Sequence, residues 1–221
     1  MRYSNRHNQP YEELNIWSAF TDLMSNTFMI AMLFLLLAII KGAIAQSKIE
    51  VTAIQTPKTP PPILVIEDEG AYRFASGSAE IPPIMNTYIQ NKIVPEIERN
   101  TQEYQINVVE IIGHTDGQGN GNAASNLDQN LEKVANANIP VSQLKAGSNA
   151  DLGLMRALAV VRVLHDLQAK GQLKGLKFRA YSAAQLILPD GNFATTNRQP
   201  DATRRRIEIR FTRPGEPIKV K

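Results

Sequence analysis

One membrane-length apolar segment near the N-terminal end constrains this sequence more than any other feature. Residues 23–40 contain no charged side chain, and residues 28–40 are apolar throughout. At about 1.5 Å per residue, such a helix with its flanks can cross a hydrocarbon core of about 30 Å. Asp22 immediately precedes the segment. Its carboxylate either caps the helix in the headgroup region, which is favourable, or is an ionisable group with a function inside the membrane.

The segment is predicted to be a retained anchor rather than a signal peptide. Residues 43–45, Ala-Ile-Ala, resemble a cleavage site, but Lys41 interrupts the apolar run before them and the leading segment carries Glu12 and Glu13. The run is also longer than the apolar region of an ordinary signal peptide. Basic residues flank the span on both sides, so the distribution of positive charge does not fix its orientation.

Composition limits the chemistry that the chain can perform. It contains no cysteine, which excludes disulfides, thiolate metal sites and a cysteine nucleophile. The formal net charge is +3, and residues 201–221 carry seven Lys/Arg against three Asp/Glu. A basic tail can bind nucleic acid, but here the arginines alternate with apolar residues, as on the outer face of a strand. We therefore expect no direct nucleic-acid binding.

Periodicity predicts five regions along the chain. They are a polar segment at 1–18, a transmembrane helix at 19–45, a proline-rich spacer at 46–62, a folded domain at 63–213 and a tail at 214–221. Within the domain, strands are expected at 63–68, 71–74, 106–112, 176–182 and 204–211, and helices at 82–99 and 150–169. The main elements follow the order β-α-β-α-β-β, which predicts an α+β domain with helices on one face of a mixed sheet.

Four motifs in the folded domain resemble the OmpA-like peptidoglycan-binding family. They are FASGSAEI at 74–81, GHTD at 113–116, NADLGLMRA at 149–157 and RRRIEI at 204–209, in that family's order. The resemblance implies that Asp116 and Arg156 hold the zwitterionic end of diaminopimelate. A carboxylate can pair with the ligand ammonium, and a guanidinium can grip a carboxylate with two parallel hydrogen bonds. His114, Thr115, Asn149 and Leu152 complete the site that the resemblance implies.

The sequence departs from the family pattern at two places. Asp116 and Arg156 lie 40 residues apart, so residues 117–148 form an insertion, and Arg204 stands where the family usually has asparagine. The glycine- and asparagine-rich start of the insertion lacks the alternating carboxylates and final glutamate of a calcium loop. His114 has no neighbouring serine, cysteine or second histidine in a motif, so neither catalysis nor a metal site is expected.

Residues 14–45 resemble the single span of ion-driven stator subunits such as the flagellar MotB family. Trp17, Asp22 and the following apolar run carry this likeness. It implies that Asp22 binds the transported proton, with sodium as the alternative ion and no other cofactor. On a helix Ser25 and Asn26 share one face with Asp22, which makes them candidate pore-facing polar residues.

The stator resemblance also implies partners and a location. Two copies would lie inside a ring formed by a multi-span membrane protein of the MotA or ZorA type. The chain would cross the bacterial inner membrane once, with a cytoplasmic N-terminus and a periplasmic domain bound to peptidoglycan.

The number of residues between the membrane span and the folded domain helps to distinguish kinds of stator-like subunit. Flagellar stator subunits usually have a longer intervening stretch than the roughly 20 residues here, and the compact arrangement is more similar to the stator-like ZorB family of the Zorya anti-phage systems. A flagellar-type stator and a passive peptidoglycan tether without ion flux remain the alternatives.

Overall fold

A computed structural model describes residues 16–53, 59–121 and 123–220. They fall into two compact units, one within Met1–Gln55 and one within Thr56–Lys221. Residues 1–15 of the predicted polar segment and residues 54–58 of the predicted spacer lie outside the described residues.

The first unit is a single long helix, α1 (Ile16–Ala53). Its part from Ala19 to Ile44 is, among the described residues, the one helix long and apolar enough to cross a membrane, with a mean hydropathy of 2.4 and no buried side chain. The helix continues past the predicted end of the span at residue 45, so residues 46–53 of the predicted spacer are helical. No proline or glycine interrupts residues 43–53, and the prolines begin only at Pro57.

The second unit is built on a four-stranded mixed sheet with the order β1-β4-β2-β3. The strands are β1 (Leu64–Glu67), β2 (Val108–His114), β3 (Lys177–Ala184) and β4 (Arg206–Thr212). Strand β4 lies antiparallel between β1 and β2, and β2 runs parallel to β3. The last strand of the domain therefore occupies the middle of the sheet and joins the first strand to the rest.

Helices cover one face of this sheet, as predicted. One helical segment comprises α2 (Pro83–Tyr88), a π-helical turn (Ile89–Ile93) and α3 (Val94–Glu103), and the other long helix is α5 (Asn149–Ala169). The predicted stripe at every fourth residue is buried in the core; it consists of Met85, Ile89, Ile93 and Ile97. Pro95 is the second residue after the π-helical turn. A wider turn relieves the clash that a proline ring makes with the carbonyl four residues earlier.

Alternation along β2 and β4 places their side chains on two chemically different faces. Val109, Ile111, Ile207 and Ile209 belong to the core beneath the helices. Arg206 and Glu208 point to the other face, but they are only 4% and 6% exposed. The alternation was therefore predicted correctly, whereas the expectation that these charges lie on an outer face was wrong. Their burial is tolerated because the two charges pair with each other over 2.7 Å, and His114 lies beside Glu208.

Two other sequence predictions need correction. Residues 71–74 do not form a strand, because the chain turns at Gly70 (φ +55°) into a short 3₁₀ turn, Gly70–Tyr72. No helix was predicted in the insertion at 117–148, but it contains one, α4 (Leu127–Ala135), with Leu127 and Val134 buried in the common core. The domain thus follows the order β-α-β-α-α-β-β, with one helix more than the sequence indicated.

Candidate functional site

The site begins where the end of β2 meets the start of α5. Gly113 lies against Gly153, and a Cβ atom at Gly113 would collide with the Gly153 carbonyl oxygen. Side chains on both residues would keep the two backbones apart, so the pair of glycines permits a close approach. Directly after Gly113 the parallel register with β3 shifts, and the Thr115 amide donates to the Ala184 carbonyl over 2.8 Å. Thr115 and Asp116 are therefore fixed beside the first turns of α5.

The sequence Ser-Asn-Ala-Asp at 148–151 defines where α5 starts. The Ser148 hydroxyl accepts a hydrogen bond from the Asp151 amide over 3.2 Å, and the Asp151 carboxylate accepts one from the Gly147 amide over 2.8 Å. The first bond satisfies an amide that a helix start otherwise leaves unpaired, and the second fixes the residue before the cap. Together the two bonds fix the first turns of α5, which carry Asn149, Leu152 and Arg156.

These elements enclose a narrow pocket of about 60 Å³. Five of the six predicted peptidoglycan-binding residues line it, although they come from separate parts of the sequence: Thr115, Asp116, Asn149, Leu152 and Arg156. A pocket this narrow suits the end of an extended ligand.

Arg156 is almost fully buried and is held by the loop that follows β1. Its Nη1 donates to Asp68 Oδ2 over 3.0 Å, its Nε to the Ser78 carbonyl over 3.0 Å and its Nη2 to the Ala75 carbonyl over 3.4 Å. The guanidinium also lies 4.8 Å from the centre of the Phe74 ring. Burial lowers the pKa of Arg156, while the charge of Asp68 raises it. Three of its five N–H donors are thus used inside the protein.

Asp116 is held in a similar way, mainly by residues near the C-terminal end of the domain sequence. Its Oδ2 accepts from Arg205 Nη1 over 2.8 Å and from the Asp201 amide over 3.2 Å, and its Oδ1 accepts from the Gln118 amide over 3.2 Å. Arg205 Nε also lies 3.5 Å from Asp68 Oδ2. The four side chains form a continuous chain of opposite charges, in the order Arg156, Asp68, Arg205, Asp116. A carboxylate offers about four acceptor positions, so Asp116 keeps about one for a ligand.

Thr115 supplies a polar group that the protein itself does not use. Its side chain is 3% exposed, it lines the pocket, and its hydroxyl has no hydrogen-bond partner in the part of the chain that the structure describes. An unpaired buried hydroxyl is costly unless a ligand or water completes it. Thr115 therefore places an unpaired hydroxyl beside the pocket, which a bound water or a polar ligand group can complete.

His114 does not line the pocket, unlike the other predicted residues. It lies on the opposite face of the sheet, where its Nε2 is 3.3 Å from Glu208 Oε1. Burial and the nearby charge of Arg206 lower the pKa of His114. Burial raises the pKa of Glu208, but hydrogen bonds from Arg210 and Arg206 outweigh it and leave that pKa below its usual value. His114 thus belongs to a buried charged cluster behind the site.

Sequence reasoning missed three charged residues of the pocket, which are Asp68, Arg73 and Arg205. Arg205 belongs to the arginine triplet that marked the family resemblance, and Asp68 ends the first predicted strand. No spacing rule connects Asp68 to Arg205, because their contact depends on β1 and β4 being neighbours in the sheet.

The insertion also contributes to the pocket. Gln118, Gly119 and Asn120 form part of its wall. Asn149 Nδ2 donates to the Gln118 carbonyl over 2.7 Å, and Asn120 Nδ2 donates to the Ala146 carbonyl over 2.9 Å. The ends of the insertion are thereby fastened to α5 and to each other.

The predicted proton site lies on α1, in the other unit. Asp22 and Ser25 line one surface recess together with Ala19 and Thr21, and Asn26 is exposed on the same helix without lining the recess. The hydroxyls of Thr21 and Thr27 donate to the carbonyls four residues earlier, each over 2.8 Å. In the described ranges no three His, Asp or Glu side chains are grouped so that they could hold a metal ion.

No family model and no curated protein matches this chain. Among solved structures, the periplasmic domain of Helicobacter pylori MotB is 19% identical, with 72% of this chain and 80% of that chain covered and a TM-score of 0.43. A MotB-like protein from Desulfovibrio vulgaris is 18% identical, with 69% and 75% covered and a TM-score of 0.40. The cell wall anchor of the T6SS from Pseudomonas aeruginosa is 16% identical, with 73% and 90% covered and a TM-score of 0.36. The site residues are therefore assigned from the geometry of this chain.

Proposed function

We propose that this protein is a stator-like membrane subunit whose folded domain binds peptidoglycan. The observation that carries the binding role is the convergence of Thr115, Asp116, Asn149, Leu152 and Arg156 on one narrow pocket. The pocket combines a buried carboxylate, a buried guanidinium and an unpaired hydroxyl. This combination suits the charged end of a peptide stem, since ammonium and carboxylate groups both find partners there.

A Thr115→Val substitution tests this binding role with little disturbance of the fold. Valine has nearly the shape of threonine, and the Thr115 hydroxyl gives up no hydrogen bond within the described structure. We expect the affinity of the full-length, detergent-solubilised protein for purified sacculi to fall about tenfold in a co-sedimentation assay. Thermal stability should stay the same or rise slightly.

Thr101→Val is the matched control. Thr101 is also buried, but its hydroxyl donates within α3 to the Ile97 carbonyl over 2.7 Å, and it does not line the pocket. This variant should lose about 1 kcal/mol of stability and keep its affinity for sacculi. If wild-type protein does not co-sediment with sacculi, the peptidoglycan assignment is wrong.

For the membrane unit we propose that Asp22 carries the coupling proton. Ser25 and Asn26 would extend a polar path along α1, and two copies would lie inside the ring of a multi-span partner of the MotA or ZorA type. A polar stripe on a membrane helix favours contact with protein or water over lipid. Each charge crossing a potential of about 100 mV yields roughly 2.3 kcal/mol. In this arrangement the N-terminus is cytoplasmic, the domain is periplasmic, and the wall holds the pair still while the partner turns.

An Asp22→Asn substitution separates a motor from a passive tether. Asparagine keeps the size of the side chain but cannot take up or release the proton. We expect biological activity to be abolished and proton flux with the cognate partner to stop, while sacculus binding stays at the wild-type level. Asp22→Glu, which keeps the ionisable group, should retain part of the flux. Full activity of Asp22→Asn would leave only the tether function.

We further propose that the machine belongs to an anti-phage system of the Zorya type. Only residues 45–63 lie between the membrane-length part of α1 and β1, which favours a compact subunit over a flagellar one. A deletion strain should lose resistance in phage-plaquing assays and keep its swimming speed. Loss of motility with unchanged plaquing would instead assign the protein to a flagellar-type stator.

A further inference from the structure

The charges around the pocket do not cancel. Four of the five charged residues that line it are paired with one another, and these are Asp68, Asp116, Arg156 and Arg205. Their formal charges sum to zero. The fifth is Arg73, so the whole lining carries one net positive charge, and that charge belongs to Arg73.

Arg73 has a side chain available for a ligand. The residue is exposed, and its side chain makes no ion pair with any described residue. It lines both the pocket and an adjoining groove of about 510 Å³ that runs past Glu80, the groove's other charged residue, towards Pro82 and Pro83. A ligand whose end enters the pocket and whose body follows the groove must pass Arg73.

The backbone around Arg73 is fixed although its side chain is free. The Arg73 amide donates to the Gly70 carbonyl over 3.4 Å, and the next amide, that of Phe74, donates to Asp68 Oδ1 over 2.6 Å. Asp68 is also the partner of Arg156. The same buried carboxylate therefore positions both arginines, but of the two only Arg73 has no side-chain donor used by a described residue.

We propose that Arg73 is the residue that binds a free carboxylate of the peptidoglycan peptide. Arg156, with three donors used by the protein, then acts mainly to shape the pocket. This inference rests on the proposed binding of peptidoglycan and assigns the ligand's acidic group to the pocket mouth. A guanidinium can hold a carboxylate with two parallel hydrogen bonds, which a side chain without internal partners is free to make.

The test compares native sacculi with sacculi whose peptide carboxylates have been amidated chemically. With full-length protein, Arg73→Gln should weaken binding to native sacculi about tenfold. Wild-type protein should show the same loss on amidated sacculi, whereas Arg73→Gln should bind both preparations equally. Arg73→Lys should recover part of the affinity, because it restores the charge without the fork geometry.

Arg179→Gln is the matched control, since Arg179 is a half-exposed arginine on β3 that does not line the pocket. It should bind both preparations like the wild type. The role of Arg73 would be overturned if Arg73→Gln bound native sacculi with wild-type affinity. It would also be overturned if amidation of the sacculi lowered the affinity of Arg73→Gln as much as it lowers that of the wild type. Failure of wild-type protein to bind native sacculi would instead overturn the proposed function.

Discussion

At the residue scale, the domain buries charged side chains in two clusters, and in each cluster opposite charges lie next to one another. Asp68 and Arg156 are 3% and 4% exposed and pair with each other in the pocket, and His114, Glu208 and Arg206 form the second cluster behind it. Removing one member of a buried ion pair leaves the other uncompensated, which costs about 3–5 kcal/mol. An Arg156→Ala variant would therefore fail mainly through folding, so it cannot by itself test ligand binding.

The cluster behind the pocket predicts that stability falls with acidity. The pKa of His114 is lowered by burial, and that of Glu208 is lowered by the hydrogen bonds from Arg210 and Arg206. In both cases the unfolded chain takes up protons at a higher pH than the folded one, so stability rises with pH. We expect the free energy of unfolding to decrease as pH falls below about 6.5, because His114 takes up a proton. It should decrease again below about 4.3, because Glu208 takes up a proton.

Hydrogen exchange of the β2 and β4 amides, corrected for the intrinsic effect of pH, measures this dependence. His114→Gln should remove the loss that begins near pH 6.5 and leave the one near pH 4. His165→Gln is the matched control, since His165 lies on α5, in T-shaped contact with the Phe178 ring and away from this cluster. Unchanged pH dependence in the His114→Gln protein would contradict the assignment.

At the element scale, the contact between β2 and α5 determines whether the pocket exists. Gly113→Ala places a methyl group against the Gly153 carbonyl, where neither backbone can move without displacing a core element. Overpacking usually costs about 1–3 kcal/mol, and a backbone-to-backbone collision belongs above that range. We expect Gly113→Ala to lower the free energy of unfolding by more than about 3 kcal/mol, measured by chemical denaturation.

Gly215→Ala provides the control for this substitution. Nothing lies within 4 Å of a Cβ atom at Gly215, and its backbone is not in the left-handed region. Its stability should stay within about 0.5 kcal/mol of the wild type. Near-native stability of Gly113→Ala would mean that β2 and α5 can separate without loss of the fold.

Hydrophobic periodicity predicted the two long helices and the four strands of the sheet, but neither α4 nor the contacts between elements. The stripe through Ile89 and Ile93 and the alternation through Ile207 and Ile209 are local patterns, and both elements were found where they were predicted. The pairing of Asp68 with Arg205 is not local, because it follows from the order of strands in the sheet. The burial of Arg206 and Glu208 was missed for the same reason. Alternation assigns side chains to the two faces of a strand but does not show what covers each face.

At the scale of the whole molecule, the two units differ in whether they bury their own apolar side chains. The domain has its own core, whereas the side chains of α1 from Ala19 to Ile44 are entirely unburied. A helix with a mean hydropathy of 2.4 needs lipid or partner helices around it. The sequence could predict this division because apolar length is a property of a continuous segment, while the pocket required distant residues to be brought together.

The central position of β4 has a consequence for the order in which the protein acquires its site during synthesis. Arg205 immediately precedes β4, and Asp201 lies a few residues earlier, yet both hold the carboxylate of Asp116. A growing chain that has already produced Asp116 and Arg156 still lacks these contacts, and β1 has no neighbour in the sheet until β4 arrives. The contacts that hold Asp116, and with them the complete pocket, can therefore form only after the last strand of the domain has been made.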